Sequence, residues 1–353
     1  MSLAVVVVVC AALTARSAAG QAGARKQATR GAATYLDSIP AWMAASHVPG
    51  LALGLVNHGK VSETRVFGSM RHGVPLKTSA LFNVASLTKP VVAVTTLKLV
   101  STGSLDLDES LAPYWVDPDI ADDTTYKLIT TRLILSHQTG FPNWRWLTPS
   151  RKLQFLTPPG KKFFYSGEGF EYLREALERK YYTSLQHLAD SLLFQKAGMR
   201  ETTFGWNPTA DSTRFVTGYD ASGAELTRPK RGMDKANAAD WLVTTIGDYS
   251  RFAQYVLAGA GLSKPVLAAM TTPQVKFAEG SNESMGLGFE VMRGPATDRK
   301  ILLHTGADDG IKTLIVLLPQ SQRGVVVFTN GDRGMEVIVK ILKAQLGLTE
   351  LTP

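Results

Sequence analysis

The spacing of apolar and polar positions changes several times along the chain, and each change marks an element. Residues 32–45 place apolar side chains at helical spacing before Pro49-Gly50 breaks the chain. Residues 51–57 and 61–67, aliphatic and flanking His58-Gly59-Lys60, predict a β-hairpin, and residues 68–79 read as loop. Residues 86–102 are mostly apolar, have the length of a helix, and meet a natural stop at Gly103. Pro90 fits near the start of that helix, because the first four backbone N–H groups of a helix have no intrahelical partner. From residue 105 to about residue 239 the pattern predicts helices (130–136, 171–181 and 185–196) joined by long loops rich in Pro, Trp and Gly. Residues 241–259 predict one further amphipathic helix and 264–270 a short one. Strand patterns follow at 286–292, 300–304, 313–318 and 324–330, and a helix at 335–346 closes the chain.

Strands at both ends with helices between them predict an α+β fold, an α/β sandwich. One antiparallel sheet is built from both chain ends with flanking helices, and a mostly helical region (about 105–240) is inserted. The 353 residues are 44% hydrophobic, enough to bury a large core over 32–350 without a metal or disulfide. Residues 1–20 stand apart. An aliphatic run at 4–12 is followed by Ser17-Ala18-Ala19, the small residues of a secretory cleavage site, so this segment reads as a signal peptide, or as an N-terminal anchor if uncleaved. Residues 21–31 read as linker. These features predict a secreted or periplasmic protein that touches a membrane only if the leader stays attached. Cys10, the only cysteine, lies in the leader, so cleavage near Ala19 removes disulfides and Cys-ligated zinc from the mature chain. The net charge of +8 is dispersed and lacks aromatic interleaving, which argues against nucleic acid as a partner. Asp117, Asp119, Asp122 and Asp123 lack the ligand spacing and turn glycine of a calcium loop and read as a solvated surface, so no metal is expected.

The candidate chemistry begins at Ser86-Leu87-Thr88-Lys89. On a helix, residues three apart share a face, so the Lys89 amine can reach the Ser86 hydroxyl. A serine nucleophile also needs a group to protonate the leaving atom and donors for an oxyanion. Tyr165-Ser166-Gly167 offers a phenol that can exchange a proton. His304-Thr305-Gly306, at the end of a predicted strand, offers backbone N–H groups for a substrate, with a hydroxyl and an imidazole to hold a carboxylate. Glu168 is a candidate for activating a water and, more simply, an acidic residue suited to a helix N-terminus. His137 reads as a hydrogen-bonded structural histidine. Trp144 and Trp146 are candidates both for cleft lining and for loop packing. No Gly-x-Ser-x-Gly elbow occurs, which removes the α/β-hydrolase route to an esterase.

The order of these elements, from residues 81–90 through Ser136-His137-Gln138-Thr139-Gly140, Pro159-Gly160, Tyr165-Ser166-Gly167, Ala238-Ala239-Asp240-Trp241-Leu242, Gly286-Leu287-Gly288-Phe289 and His304-Thr305-Gly306, resembles the serine β-lactamase and penicillin-binding-protein superfamily. The likeness covers roughly residues 36–346 and is strongest to its branch of class C β-lactamases, D-Ala-D-Ala carboxypeptidases and esterases. The resemblance implies acylation of Ser86, proton transfer by Lys89 with Tyr165, an oxyanion hole from the backbone N–H groups of Ser86 and Ala307, and substrate contacts at His304, Thr305 and Gly306. It implies no cofactor. Two departures bear on substrate. Gly167 stands where many relatives have the asparagine of Tyr-x-Asn, which grips an acyl amide. His304 stands where β-lactamases have the lysine of Lys-Thr-Gly, and an imidazole of ordinary pKa near 6.5 is mostly neutral at pH 7. Both tilt the expectation toward an esterase-like or broad acyl hydrolase acting on a small ester or amide. A D-amino-acid peptide comes next and a β-lactam third, and a sensor acylated without turnover, or a pseudoenzyme, is the rival class. Anionic-substrate selectivity is expected to fall as pH rises through the imidazole pKa.

Overall fold

The computed structural model describes residues 35–205, 212–227, 236–295 and 297–348. The expected leader and linker lie outside the described residues. A helix, α1 (residues 35–45), precedes β1 (Gly50–Asn57), β2 (Lys60–Arg71) and β3 (Val74–Pro75). The middle of the chain holds β4 (Phe82–Asn83), α2 (Thr88–Ser101), α3 (Thr131–Leu135), α4 (Gly167–Tyr181), α5 (Leu185–Ala189), α6 (Gln195–Ala197), β5 (Thr203–Phe204) and β6 (Leu242–Thr244). Then come α7 (Ile246–Leu257), α8 (Lys264–Met270), β7 (Val275–Lys276), β8 (Glu283–Met285), β9 (Glu290–Arg293), β10 (Lys300–Asp308), β11 (Ile311–Leu318), β12 (Arg323–Thr329) and α9 (Gly334–Leu346).

Nine strands form one antiparallel sheet in the order β3-β2-β1-β12-β11-β10-β9-β8-β7, so the first and last strands of the chain meet at its centre. The alternation along β12 shows how the sheet is covered. Val325 and Val327 face a core shared with Ile39 of α1 and with Val337, Ile338 and Ile341 of α9. Val326 and Phe328 face the larger core, which contains Val91 and Val94 of α2 and Tyr249 and Phe252 of α7. Burial on both faces explains why β11 and β12 read as unbroken aliphatic runs instead of alternating ones. A second sheet, β4-β6-β5, lies within the helical region.

Several expected elements differ. The hairpin strand runs on to Arg71 and turns back into β3, where loop was expected. The helix expected from residue 241 begins at Ile246. Leu242 and Val243 pair instead with β4 and β5, the Leu242 N–H donates to Thr88 Oγ1 at 2.9 Å, and Thr245 caps α7. Of the strand expected at 286–292, residues 290–292 lie in β9, and residues 286–289 form a tight turn between β8 and β9. Gly288 there has φ of +82°, and a β-carbon on it would stand 2.1 Å from the Ala93 β-carbon, so the turn approaches α2 as only glycine allows. The helix expected at 185–196 runs unbroken over residues 185–197, with a π-helical turn (Asp190–Phe194) between α5 and α6.

Candidate active site

Ser86 does not start α2 as the spacing implied. It sits in the tight turn between β4 and α2, where Leu87, Thr88 and Lys89 donate N–H bonds to the carbonyls of Val84, Ala85 and Ser86 at 3.2, 3.0 and 3.0 Å. Ala85 holds φ of +50°, an uncommon value for a residue with a β-carbon, and is anchored by an N–H bond to Asn83 Oδ1 at 3.0 Å. From this turn Lys89 reaches back and donates from Nζ to Ser86 Oγ at 3.0 Å and to the Ala239 carbonyl at 2.8 Å. Lys89 is 1% exposed. Burial therefore lowers its ammonium to about 7, against the opposing pull of the Asp240 and Glu171 carboxylates.

Tyr165 arrives from the loop before α4. Its phenol hydrogen-bonds the Ser86 side chain, and Lys89 Nζ lies 4.8 Å from its ring centre. Burial raises this phenol well above its usual range, the bond to Ser86 draws it down, and the Asp240 and Glu290 carboxylates push it further up. The phenol is therefore protonated at neutral pH. A hydroxyl, an amine of near-neutral pKa and a protonated phenol thus converge from two stretches of chain.

The third segment closes the other side. Thr313 Oγ1 of β11 donates to the Val84 carbonyl at 2.9 Å, which ties the sheet to the serine turn. Gly306 lies so close that a β-carbon there would stand 2.5 Å from the Val84 carbonyl oxygen and 3.2 Å from the Ser86 nitrogen. Ala307 follows it and is exposed, and Thr305 is half-buried. β9 pairs with β10 only from Lys300 to Leu303, so among the described residues the β9-side edge of β10 has no strand partner over residues 304–307. His304 is buried, and its Nδ1 lies 2.7 Å from the Thr305 carbonyl, which can only accept, so Nδ1 carries the ring proton. Burial and then the Lys89 charge lower this imidazole to about 3. The expectation of a histidine titrating near neutrality is thereby corrected: His304 is uncharged throughout the working range.

Other candidates have structural places. Glu168, in the first turn of α4, accepts from Arg145 Nη2 at 2.8 Å and from the Arg145 N–H at 2.8 Å, so it holds the Trp144 loop and not a water beside Ser86. Asp117 and Asp119 also pair with Arg145. Asp123 accepts from the Thr125 N–H, and among the described residues no group of three or more metal-type ligands is assembled. His137 packs behind Tyr165 and accepts the Ser166 N–H at Nδ1, 3.1 Å away. Sequence reasoning missed Glu290, opposite Leu303 in the β9–β10 pairing, whose carboxyl is raised to about 8 by burial and the Glu283 carboxylate. Its signal was a lone acid directly after Gly286-Leu287-Gly288-Phe289. The role of the Ala239 carbonyl was also missed, because a backbone acceptor leaves no mark in residue type.

This fold and this junction of serine, lysine and tyrosine define a serine hydrolase. The chain belongs to the Beta-lactamase family, whose model matches residues 37–347. It is 24% identical over 314 residues to the D-alanyl-D-alanine-carboxypeptidase/endopeptidase AmpH of Escherichia coli K12, covering 80% of this chain and 79% of that one. It is 27% identical over 210 residues to Esterase EstB of Burkholderia gladioli, covering about half of each chain (51% and 52%). The solved structure of D-alanine carboxypeptidase AmpC from Burkholderia cenocepacia superposes with a TM-score of 0.74 at 21% identity over 92% of this chain and 98% of that one, a likeness of fold.

Proposed function

We propose that this protein is an esterase-like acyl hydrolase that works through an acyl-enzyme at Ser86, with Lys89 and Tyr165 moving protons. The observation that carries the reading is the Lys89 amine, 3.0 Å from Ser86 Oγ and lowered to about 7, so that near neutral pH much of it is free to accept the hydroxyl proton. As Oγ attacks the ester carbonyl, its proton passes to Lys89 and negative charge gathers on the carbonyl oxygen. The N–H groups of Ser86 and Ala307 are assigned to that oxyanion. Collapse of the tetrahedral species breaks the bond to the alcohol, and Tyr165, protonated and in contact with Ser86, hands its proton to the departing oxygen and is reprotonated from Lys89. Water then repeats the sequence on the acyl-enzyme and releases the acid.

Two features favour esters over peptides and lactams. An uncharged His304 offers no cation to a carboxylate, and Gly167 offers no amide to an acyl-amide group. The named activity of EstB is in line with this reading. The β9-side edge of β10, without a strand partner over residues 304–307 among the described residues, favours a second reading, a D-Ala-D-Ala carboxypeptidase whose peptide lies along the strand, in line with the name of AmpH. From the aliphatic run at 4–12 we also propose that the protein acts outside the cytoplasm, as a secreted or periplasmic enzyme. The test incubates wild type and Ser86→Ala with a p-nitrophenyl ester, a chromogenic cephalosporin and a D-Ala-D-Ala peptide. Steady ester turnover that is lost in the variant supports the esterase reading. Faster peptide cleavage shifts it to the carboxypeptidase, and a single burst without turnover overturns hydrolysis in favour of a sensor.

A further inference from the structure

Gly167 opens α4, and a side chain there would begin inside Trp144. A β-carbon built on Gly167 would stand 2.8 Å from Trp144 Cη2, 2.9 Å from Cζ2 and 3.0 Å from the Asn143 carbonyl oxygen. The indole therefore fills the space that a side chain at this position would enter, two residues after Tyr165. Trp146 lies on Trp144 almost in parallel, with ring centroids 4.6 Å apart and planes 10° apart, and it remains 54% exposed. A flat indole face left in solvent is a surface on which another planar apolar group gains by stacking.

With Trp115 and Tyr172, the pair lines a cleft of about 260 Å³. It is joined to the reaction centre through Glu171, whose carboxylate acts on the Lys89 charge and accepts the Ala238 N–H at 2.5 Å. Glu168 and Glu171 come from the first turns of α4, and Asn237, on the far side, lies two residues before the Ala239 carbonyl that holds Lys89. The charges around it are unbalanced. Arg145 faces Asp117, Asp119 and Glu168, and Arg174 faces Glu171, Glu175 and Glu178, with Arg179 sharing Glu175. Of these, four carboxylates (Asp117, Glu168, Glu171 and Glu175) and two guanidinium groups (Arg145 and Arg174) line the cleft, so its walls carry an excess of acids that opposes an anion.

We propose that the cleft is a subsite for the acyl side of the substrate and takes an uncharged aryl group stacked on the Trp144–Trp146 face. The proposal rests on the acyl-hydrolase reading and names its substrate class. The aromatic wall replaces the amide that an asparagine at position 167 would supply, so selection by ring stacking replaces selection by hydrogen bonding.

The test compares kcat/KM for p-nitrophenyl phenylacetate, acetate and hemisuccinate in wild type, Trp146→Ala and Trp146→Phe. Wild type is expected to favour phenylacetate over acetate by about tenfold or more, the range a well-fitting apolar pocket supplies, and to disfavour hemisuccinate. The phenylacetate-to-acetate ratio should collapse in Trp146→Ala, through KM, and be kept in Trp146→Phe, which retains a flat ring. A ratio near one in wild type, a ratio untouched in Trp146→Ala, or a preference for hemisuccinate overturns the subsite while leaving ester hydrolysis intact. A second readout does not need turnover: Ser86→Ala protein titrated with phenylacetamide should show saturable quenching of tryptophan fluorescence that weakens at least tenfold when Trp146→Ala is added. No quenching, or quenching indifferent to Trp146, overturns the subsite even if no ester is hydrolysed.

Discussion

The His137 ring lies against the Tyr165 ring, with centroids 4.3 Å apart and planes 27° apart, while its Nδ1 receives the N–H of Ser166, the next residue along the chain. One imidazole thus fixes both the face of the phenol and the backbone that carries it. Burial and then the nearby Lys89 charge hold this ring well below the usual histidine range, so it is a neutral positioning group.

Replacing His137 by Asn tests that positioning. His137 has φ of +55°, which Asn tolerates better than most residues, so the backbone can persist while the stacking ring is lost. The expected result is a fall in kcat of about tenfold with little change in KM. The loss should be larger for an ethyl ester, whose alkoxide needs a proton from Tyr165, than for a p-nitrophenyl ester, whose leaving group does not. Equal losses with the two esters would show that His137 does not act through the phenol.

His304 sets a pH prediction with a definite sign. Its imidazole, lowered to about 3, loses its proton far below neutrality, so the selectivity between an anionic and a neutral ester should be flat from about pH 5 to 9. The Lys89 titration cancels from that ratio, because both esters need the same neutral amine. His304→Lys should raise the anionic-to-neutral ratio by roughly tenfold and move the rise of kcat/KM to lower pH, since a second cation lowers Lys89 further. A ratio in wild type that drops between pH 6 and 7 would mean that the ring is charged in the working range.

Arg145 ties Asp117 and Asp119 to Glu168 at the start of α4, behind the Trp144 loop. Glu168 is only 4% exposed, whereas Arg145 is about one-third open to solvent. Arg145→Met strands a buried carboxylate, and after discounting for solvent screening it should lower unfolding stability by about 2–3 kcal/mol in urea titrations. A stability equal to wild type at pH 7 would remove the ion cluster from the fold's support.

Gly288→Ala combines a positive φ with a β-carbon driven into Ala93 of α2. Destabilisation of at least about 2 kcal/mol is expected from strain and overpacking together. The Gly288 N–H also anchors the Leu135 carbonyl at 2.8 Å, so thermal unfolding should shift more than for alanine placed at Gly73, which has the same sign of φ but open space around it. Equal shifts at the two glycines would assign the effect to backbone strain alone.

The main strands and the contact of Lys89 with Ser86 were legible in the sequence because their patterns are local. The aliphatic runs of β11 and β12 announce a doubly buried sheet, and Ser86 and Lys89 are neighbours by helical spacing even though Ser86 sits in the turn before the helix. What stayed hidden depends on distant contacts. The short strand at Leu242–Thr244 looks helical until Phe82 and Thr203 supply partners, and the turn at Gly288 looks like strand until α2 is placed against it. The neutrality of His304 follows from burial and from Lys89, more than two hundred residues earlier, so residue type alone suggested the wrong titration. The indole of Trp144 over Gly167 joins positions that no sequence spacing connects.

The most direct measurement is the rate at which the Ser86 peptide gains the mass of an acyl group, followed by rapid quenching and mass spectrometry across pH with a neutral p-nitrophenyl ester. The amine beside Ser86 should make that rate rise through pH about 7 and then level off, with no adduct in Ser86→Ala and a fall of about a hundredfold or more in Lys89→Met. Hydrolysis that continues in Ser86→Ala, or an adduct on another residue, would contradict the account.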